Sequence, residues 1–130
     1  MYLCKNIDSL DMKKGFMIAA HTSGAGKTTL SVGLMALLAR NGYNVQPFKC
    51  GPDYIDTMFH GLVCGRPSVN LDLFMATCEH VRELYRHYSA DADITVVEGM
   101  MGMYDGYERH KGSPAEIATT LGLPIVLVVD

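Results

Sequence analysis

The chain has 130 residues, 48% of them apolar, and carries 11 Lys plus Arg against 14 Asp plus Glu, for a net charge of -3. That length supports one domain with its own core. The charge balance excludes a broad basic surface for nucleic acid while allowing a local positive pocket, and no apolar stretch near the N-terminus reads as a signal peptide or membrane span.

Residues 1–14 read as an N-terminal extension, and residues 15–20 (GFMIAA) as a first strand. Residues 28–40 place leucines and Met35 at helical spacing, with Gly42 as the stop. Residues 43–48 read as a second strand in which Pro47 argues against a long central ladder position. Residues 50–70 are rich in turn signals (Gly51, Pro52, Gly61, Gly65, Pro67) and lack a period. A connection of that length points to function. Residues 71–89 hold one or two helices, and residues 94–97 a third strand. Ser113 and Pro114 open a helix over residues 113–121, where Glu116 completes a capping box. Residues 124–129 form a fourth, apolar strand that reads as buried, and its covering helix and later strands are expected beyond it. The fold expected over residues 15–130 is therefore α/β: a P-loop NTPase-like parallel sheet with helices on both faces, truncated after a core strand.

Cys4, Cys50, Cys64 and Cys78 form no CxxC pair and no zinc-site spacing. They read as reduced thiols of a cytoplasmic protein.

The strongest short signal is HTSGAGKTT at residues 21–29, between a strand and a helix. Successive backbone N–H groups in such a loop hold a phosphate, and the helix N-terminus adds a favourable field. Lys27 can reach the β- and γ-phosphates, and Thr28 can ligate magnesium. The common motif G-x-x-x-x-G-K-[ST] would put a glycine at His21, so the pattern departs at one position.

Ligands of an open parallel sheet gather beyond the carboxyl ends of its strands. Lys49, Asp53, Glu98 and Asp130 follow or end strands there, and Asp105 sits on the glycine-rich segment after Glu98. Magnesium needs only one or two carboxylates besides phosphate oxygens and water. Lys49 is suited to stabilising a phosphoryl group in transit. The plain alternatives are that Asp56 caps its turn, Asp105 closes an Asx-turn, and Lys49 is an exposed strand end.

HTSGAGKTT, FKCGPDYIDTMFH, GRPSVNLD, VEGMMGMYDG and GSPAEIATTLGLPIVLVVD together resemble the amino-terminal ATP-binding domain of the cobyrinic acid a,c-diamide synthase family, from about residue 15 to residue 130. That family is similar to dethiobiotin synthetase in its ATP-binding fold. The usual GPDYIDP of the family has Thr57 in place of its final proline here. The resemblance implies ATP and magnesium as cofactors and a corrinoid macrocycle as substrate. Its a and c carboxylates would be amidated through an acyl phosphate, with ammonia from a glutaminase domain of the same full-length chain. It also implies roles by residue. Thr22, Ser23, Gly24, Ala25, Gly26, Lys27, Thr28 and Thr29 would hold ATP. Thr28, Asp53 and Glu98 would hold the metal, Lys49, Asp53, Glu98 and Asp105 would serve catalysis, and Tyr54, Ser68 and Asn70 would lie near the macrocycle. A homodimer is left open, and neither nucleic acid nor membrane is implied. Two alternatives remain at this point: a nickel-sirohydrochlorin a,c-diamide synthase, and a deviant P-loop ATPase switch. The second is disfavoured because Thr22 stands where the signature lysine of such loops would fall.

Overall fold

The computed structural model describes residues 14–22, 24, 26–73, 76–106 and 112–129. The elements are β1 (Gly15–Ala20), α1 (Lys27–Arg40), β2 (Val45–Cys50), α2 (Asp56–Cys64), β3 (Val69–Leu71), α3 (Cys78–Ser89), β4 (Ile94–Gly102), α4 (Pro114–Leu121) and β5 (Ile125–Val128). The strands form one sheet in the order β3-β2-β4-β1-β5, and every pairing is parallel.

Strand periodicity divides the core into two. Met17, Ala19, Phe48, Cys50 and Val97 face α3 and α4, where they pack with Val81, Tyr85, Ile117, Ala118 and Leu121. Their strand neighbours Ile18, Val45 and Val96 point the other way, against Met35 of α1, with Val63 and Cys64 of α2 beside them. Helices therefore cover both faces, as the sequence pattern requires of a parallel sheet. The same alternation puts Lys49 (in step with Val45) and Glu98 (in step with Val96) on the α1/α2 side.

Residues 50–70 differ from the turn-rich loop expected of them: they contain α2 and β3. Glycine and proline punctuation obscured a helix whose apolar residues Ile55, Met58, Phe59 and Leu62 recur at helical spacing but face solvent. β2 starts and ends two residues later than expected. Pro47 is tolerated because β3 pairs with β2 only from Phe48 onward, so at Pro47 the strand has one neighbour. β4 runs on past residue 97 to Gly102. β5 pairs only with β1, and Val126 and Leu127 are exposed, whereas the sequence reads this run as buried. No described strand lies on its outer side.

Cys50 and Cys64 are free thiols, as expected. Cys78 is disulfide-bonded and corrects the reading of four reduced cysteines, since spacing alone does not tell which cysteines a fold brings together. Cys4 and Asp130 lie outside the described residues. Among the described residues no helix is long and apolar enough to cross a membrane.

At α4 the Ser113 hydroxyl accepts from Glu116 N at 3.2 Å, but the Glu116 carboxylate reaches back to Gly112 N at 2.7 Å, one residue before the expected box partner. Ser113→Ala should therefore cost about 1 kcal/mol. That corresponds to a fall of roughly 3–6 °C in the thermal midpoint for a chain of this size. An unchanged midpoint by circular dichroism would mean that the cap is dispensable.

Candidate active site

The loop between β1 and α1 is shaped by glycine. Gly24 and Gly26 have φ of 84° and 86°, and a Cβ at either would meet no atom within 4 Å. Conformation rather than space demands glycine there. Gly26 caps α1 without any side-chain bond to the first turn, which contains no acid, so the field of the helix N-terminus favours an anion there. Thr22 and Thr29 are exposed beside this loop, while Ser23 and Ala25 lie outside the described residues. Lys27 is largely buried at the start of α1; burial and then the like charge of Lys49 depress its pKa.

Sheet register supplies the centre of the site. Lys49 and Glu98 are direct partners across β2 and β4. Both side chains are buried, at 2% and 0% exposure. Lys49 Nζ donates to Glu98 Oε2 at 2.9 Å and to Asp56 Oδ2 at 2.8 Å, with Asp53 Oδ2 at 3.6 Å and the Gly99 carbonyl at 3.3 Å. The Thr28 hydroxyl donates to Glu98 Oε2 at 2.9 Å and has Asp56 Oδ2 within 3.4 Å. On the other lobe, Glu98 Oε1 meets His60 Nε2 at 2.8 Å, and His60 Nδ1 meets Ser68 Oγ at 3.0 Å.

Burial alone would raise the Glu98 pKa. The His60 hydrogen bond and the Lys49 charge outweigh it and hold the carboxyl at about 2. Burial would likewise lower Lys49, but Glu98 and Asp56 reverse it, and its pKa is raised. Both groups are therefore charged across the working range. Burial pushes the Cys50 thiol the wrong way for a nucleophile, up to about 12.

Of the residues singled out in the sequence, Lys27, Thr28, Lys49, Asp53 and Glu98 converge. Asp53 and Asp56 are placed differently from the reading of the sequence. Asp53 Oδ1 accepts from Ile55 N at 2.9 Å and Asp56 N at 3.3 Å, which makes it the acid that organises the turn. Asp56 faces Thr28 and Lys49. The pKa of Asp53 is lowered: burial opposes this, but the two backbone N–H groups and then Lys49 prevail. Asn70 braces the same loop by donating to the Gly51 and Asp53 carbonyls at 2.7 and 2.8 Å. The Thr57 hydroxyl adds a 3.4 Å bond to the Asp53 carbonyl. Tyr54 is 74% exposed beside these acids. Asp105 stands apart: its carboxylate closes the turn after β4 by accepting from Gly102 N at 2.8 Å. Sequence reading missed His60 and the inward role of Asp56. Their spacing of four residues, one helical turn within FKCGPDYIDTMFH, was the available signal.

The donor set suits a magnesium ion. Among the described residues no three His, Cys, Asp or Glu side chains form a protein-only cage. Instead a hydroxyl and two carboxylate oxygens, from Thr28, Glu98 and Asp56, share one short reach beside the phosphate loop, the few hard oxygens that magnesium takes alongside phosphate and water.

A family profile described as "CobQ/CobB/MinD/ParA nucleotide binding domain" matches residues 16–129. The chain belongs to that family. Within it the chain is 52% identical, over 92% of its length, to a cobyrinate a,c-diamide synthase of Caldanaerobacter subterraneus subsp. tengcongensis. It is 47% identical over 90% of its length to a protein of the same name from Streptococcus sanguinis. It is 49% identical over 88% of its length to a hydrogenobyrinate a,c-diamide synthase of Streptomyces coelicolor. The chain spans about a quarter of each relative: 26%, 26% and 24% of their lengths.

The Glu98 pKa gives a pH dependence with a definite sign. A carboxyl depressed to about 2 from 4.5 contributes stability that is present above the unfolded value and lost as pH falls through 4.5 toward 2. Urea midpoints of the native chain should drop more steeply across that window than those of Glu98→Gln. Parallel curves would mean that Glu98 is not held ionised by its partners.

Proposed function

We propose that the chain is the ATP-handling part of a carboxylate amidoligase acting on the a and c carboxylates of a corrinoid acid. The observation that carries this reading is the convergence of Lys27 and Thr28 of the phosphate loop with Lys49, Asp56 and Glu98 on the α1/α2 side of the sheet. The names borne by the relatives supply the substrate class.

The proposed role of each residue follows from its position. Backbone N–H groups around Gly24 and Gly26 and the α1 N-terminus would bind the phosphates, and Lys27 and Lys49 would stabilise the negative charge of the transferring phosphoryl group. Thr28, Glu98 and Asp56 would hold magnesium, which would supply neutralisation of charge on the phosphate oxygens. Asp53 orders the loop that carries Tyr54. Asn70 of β3 supports that loop and Ser68, just before β3, supports α2, and Asp105 fixes the glycine-rich turn next to the phosphate loop.

A substrate carboxylate is a poor acceptor for ammonia because its resonance must be broken and oxide is a poor leaving group. In the proposed first step a carboxylate oxygen bonds to the γ-phosphorus as the phosphorus–oxygen bond to ADP breaks. In the second, the ammonia lone pair forms the carbon–nitrogen bond. Phosphate departs with the carbon–oxygen electron pair, and the nitrogen loses a proton. Ammonia would come from a glutaminase domain of the full-length protein; with Cys50 buried and its thiol raised, this region offers no glutaminase nucleophile there.

The test supplies ATP, magnesium and ammonium to the full-length protein, with cobyrinic acid and nickel-sirohydrochlorin offered separately, and follows product mass. Two hydroxyl-to-amino replacements on cobyrinic acid are expected, and preference for the nickel ring would instead identify that macrocycle as the substrate. ATP hydrolysis without a mass change on either ring would favour a nucleotide switch. Lys27→Ala should lower turnover on the order of 100-fold, since one contact to transferring charge contributes about 3 kcal/mol.

A further inference from the structure

We propose that His60 is a positioning residue for the metal-binding face of Glu98. The inference rests on the reading of Thr28, Glu98 and Asp56 as the magnesium donors and adds the group that aims them. His60 is the one residue of α2 that is fully buried, and its ring spans the gap between Ser68, just before β3, and Glu98 on β4. A hydrogen bond of 2.8 Å joins His60 Nε2 to Glu98 Oε1, and the far ring nitrogen, Nδ1, meets the Ser68 hydroxyl at 3.0 Å. The chain Ser68 to His60 to Glu98 Oε1 leaves the other lobe, Oε2, as the oxygen turned toward Thr28 and Lys49.

A carboxylate on a flexible side chain would otherwise rotate and exchange its lobes. A hydrogen bond on one oxygen, anchored at its far end, fixes which oxygen a metal meets, and loss of such an outer partner typically costs 10–100-fold in metal affinity. Helix α2 delivers the parts together. Asp56 and His60 lie one turn apart on its inner face, so the helix that presents a carboxylate oxygen to Thr28 also orients Glu98.

The experiment measures binding of a non-hydrolysable ATP analogue to the full-length protein, native or substituted, by calorimetry across a magnesium series, with and without EDTA. His60→Leu removes the donor, while His60→Gln keeps an N–H near the position of Nε2. In His60→Leu the magnesium concentration giving half-maximal enhancement of analogue binding should rise on the order of 10-fold or more, with metal-free affinity unchanged. His60→Gln should stay within about threefold of the native chain, well inside that penalty. Ser68→Ala leaves the donor but removes its anchor and should shift the magnesium requirement in the same direction. If His60→Leu does not fold, the His60→Gln and Ser68→Ala pair decides. An unchanged magnesium requirement in Ser68→Ala and in a folded His60→Leu, or equal shifts in His60→Leu and His60→Gln, would overturn the proposal and leave His60 a core histidine. No magnesium-dependent binding by the native chain would instead overturn the reading of the donor set on which the proposal rests.

Discussion

Burying Lys49 against Glu98 is the constraint around which this half of the molecule is arranged. Two charges removed from water are costly, and their mutual attraction compensates only when the remaining donors and acceptors are also satisfied. Here they are: both Glu98 oxygens are bonded, and Lys49 has Asp56 and the Gly99 carbonyl besides Glu98. Among the described residues no buried side-chain nitrogen or oxygen lacks a partner. Satisfying one pair thus draws on β2, β4, the first turn of α1, the inner face of α2 and the residue before β3. The arrangement adds little stability over a hydrophobic isostere. What it supplies is a fixed array of charge, at the edge where a phosphate-bearing ligand can approach.

The parts that were legible in the sequence are those with local causes. The phosphate loop follows from glycines before Lys27, the helix start at Ser113 from its cap, and the parallel sheet from apolar runs alternating with helices. Glu98 was legible as an acid directly after the apolar run ITVV, but not as an interior residue of a strand that continues to Gly102. Helix α2 was not, because its apolar stripe of Ile55, Met58, Phe59 and Leu62 faces outward and glycine and proline flank it. The different placements of Asp53 and Asp56 were not legible either. Both acids lie in one turn, and which of them binds backbone N–H groups depends on where the helix begins. Pairing of β2 with β4 was hidden as well, because register across a crossover is a tertiary fact, and Lys49 meets Glu98 only through it.

The glycine-rich stretch after Glu98 has a physical reason that depends on the same register. From Ile18 to Ala20 β1 advances two residues, while from Glu98 to Gly102 β4 advances four. The two extra residues are taken up in a bulge, where Met101 holds a φ of 52°, a conformation uncommon outside glycine. Beyond it the chain turns close to the start of the phosphate loop: Met103 N donates to Ala20 O at 2.6 Å. A Cβ on Gly102 would lie 2.8 Å from the His21 carbonyl and from Asp105 Oδ2. Only a residue without a side chain allows that approach. The bulge ends the regular ladder with β1 at the Ile18–Glu98 pair. The turn then brings Asp105 to the rim without adding it to the buried cluster. The two acids of VVEGMMGMYDG therefore serve different ends. Glu98 is the ionised centre of the site, and Asp105 holds the backbone that closes over the loop beside it.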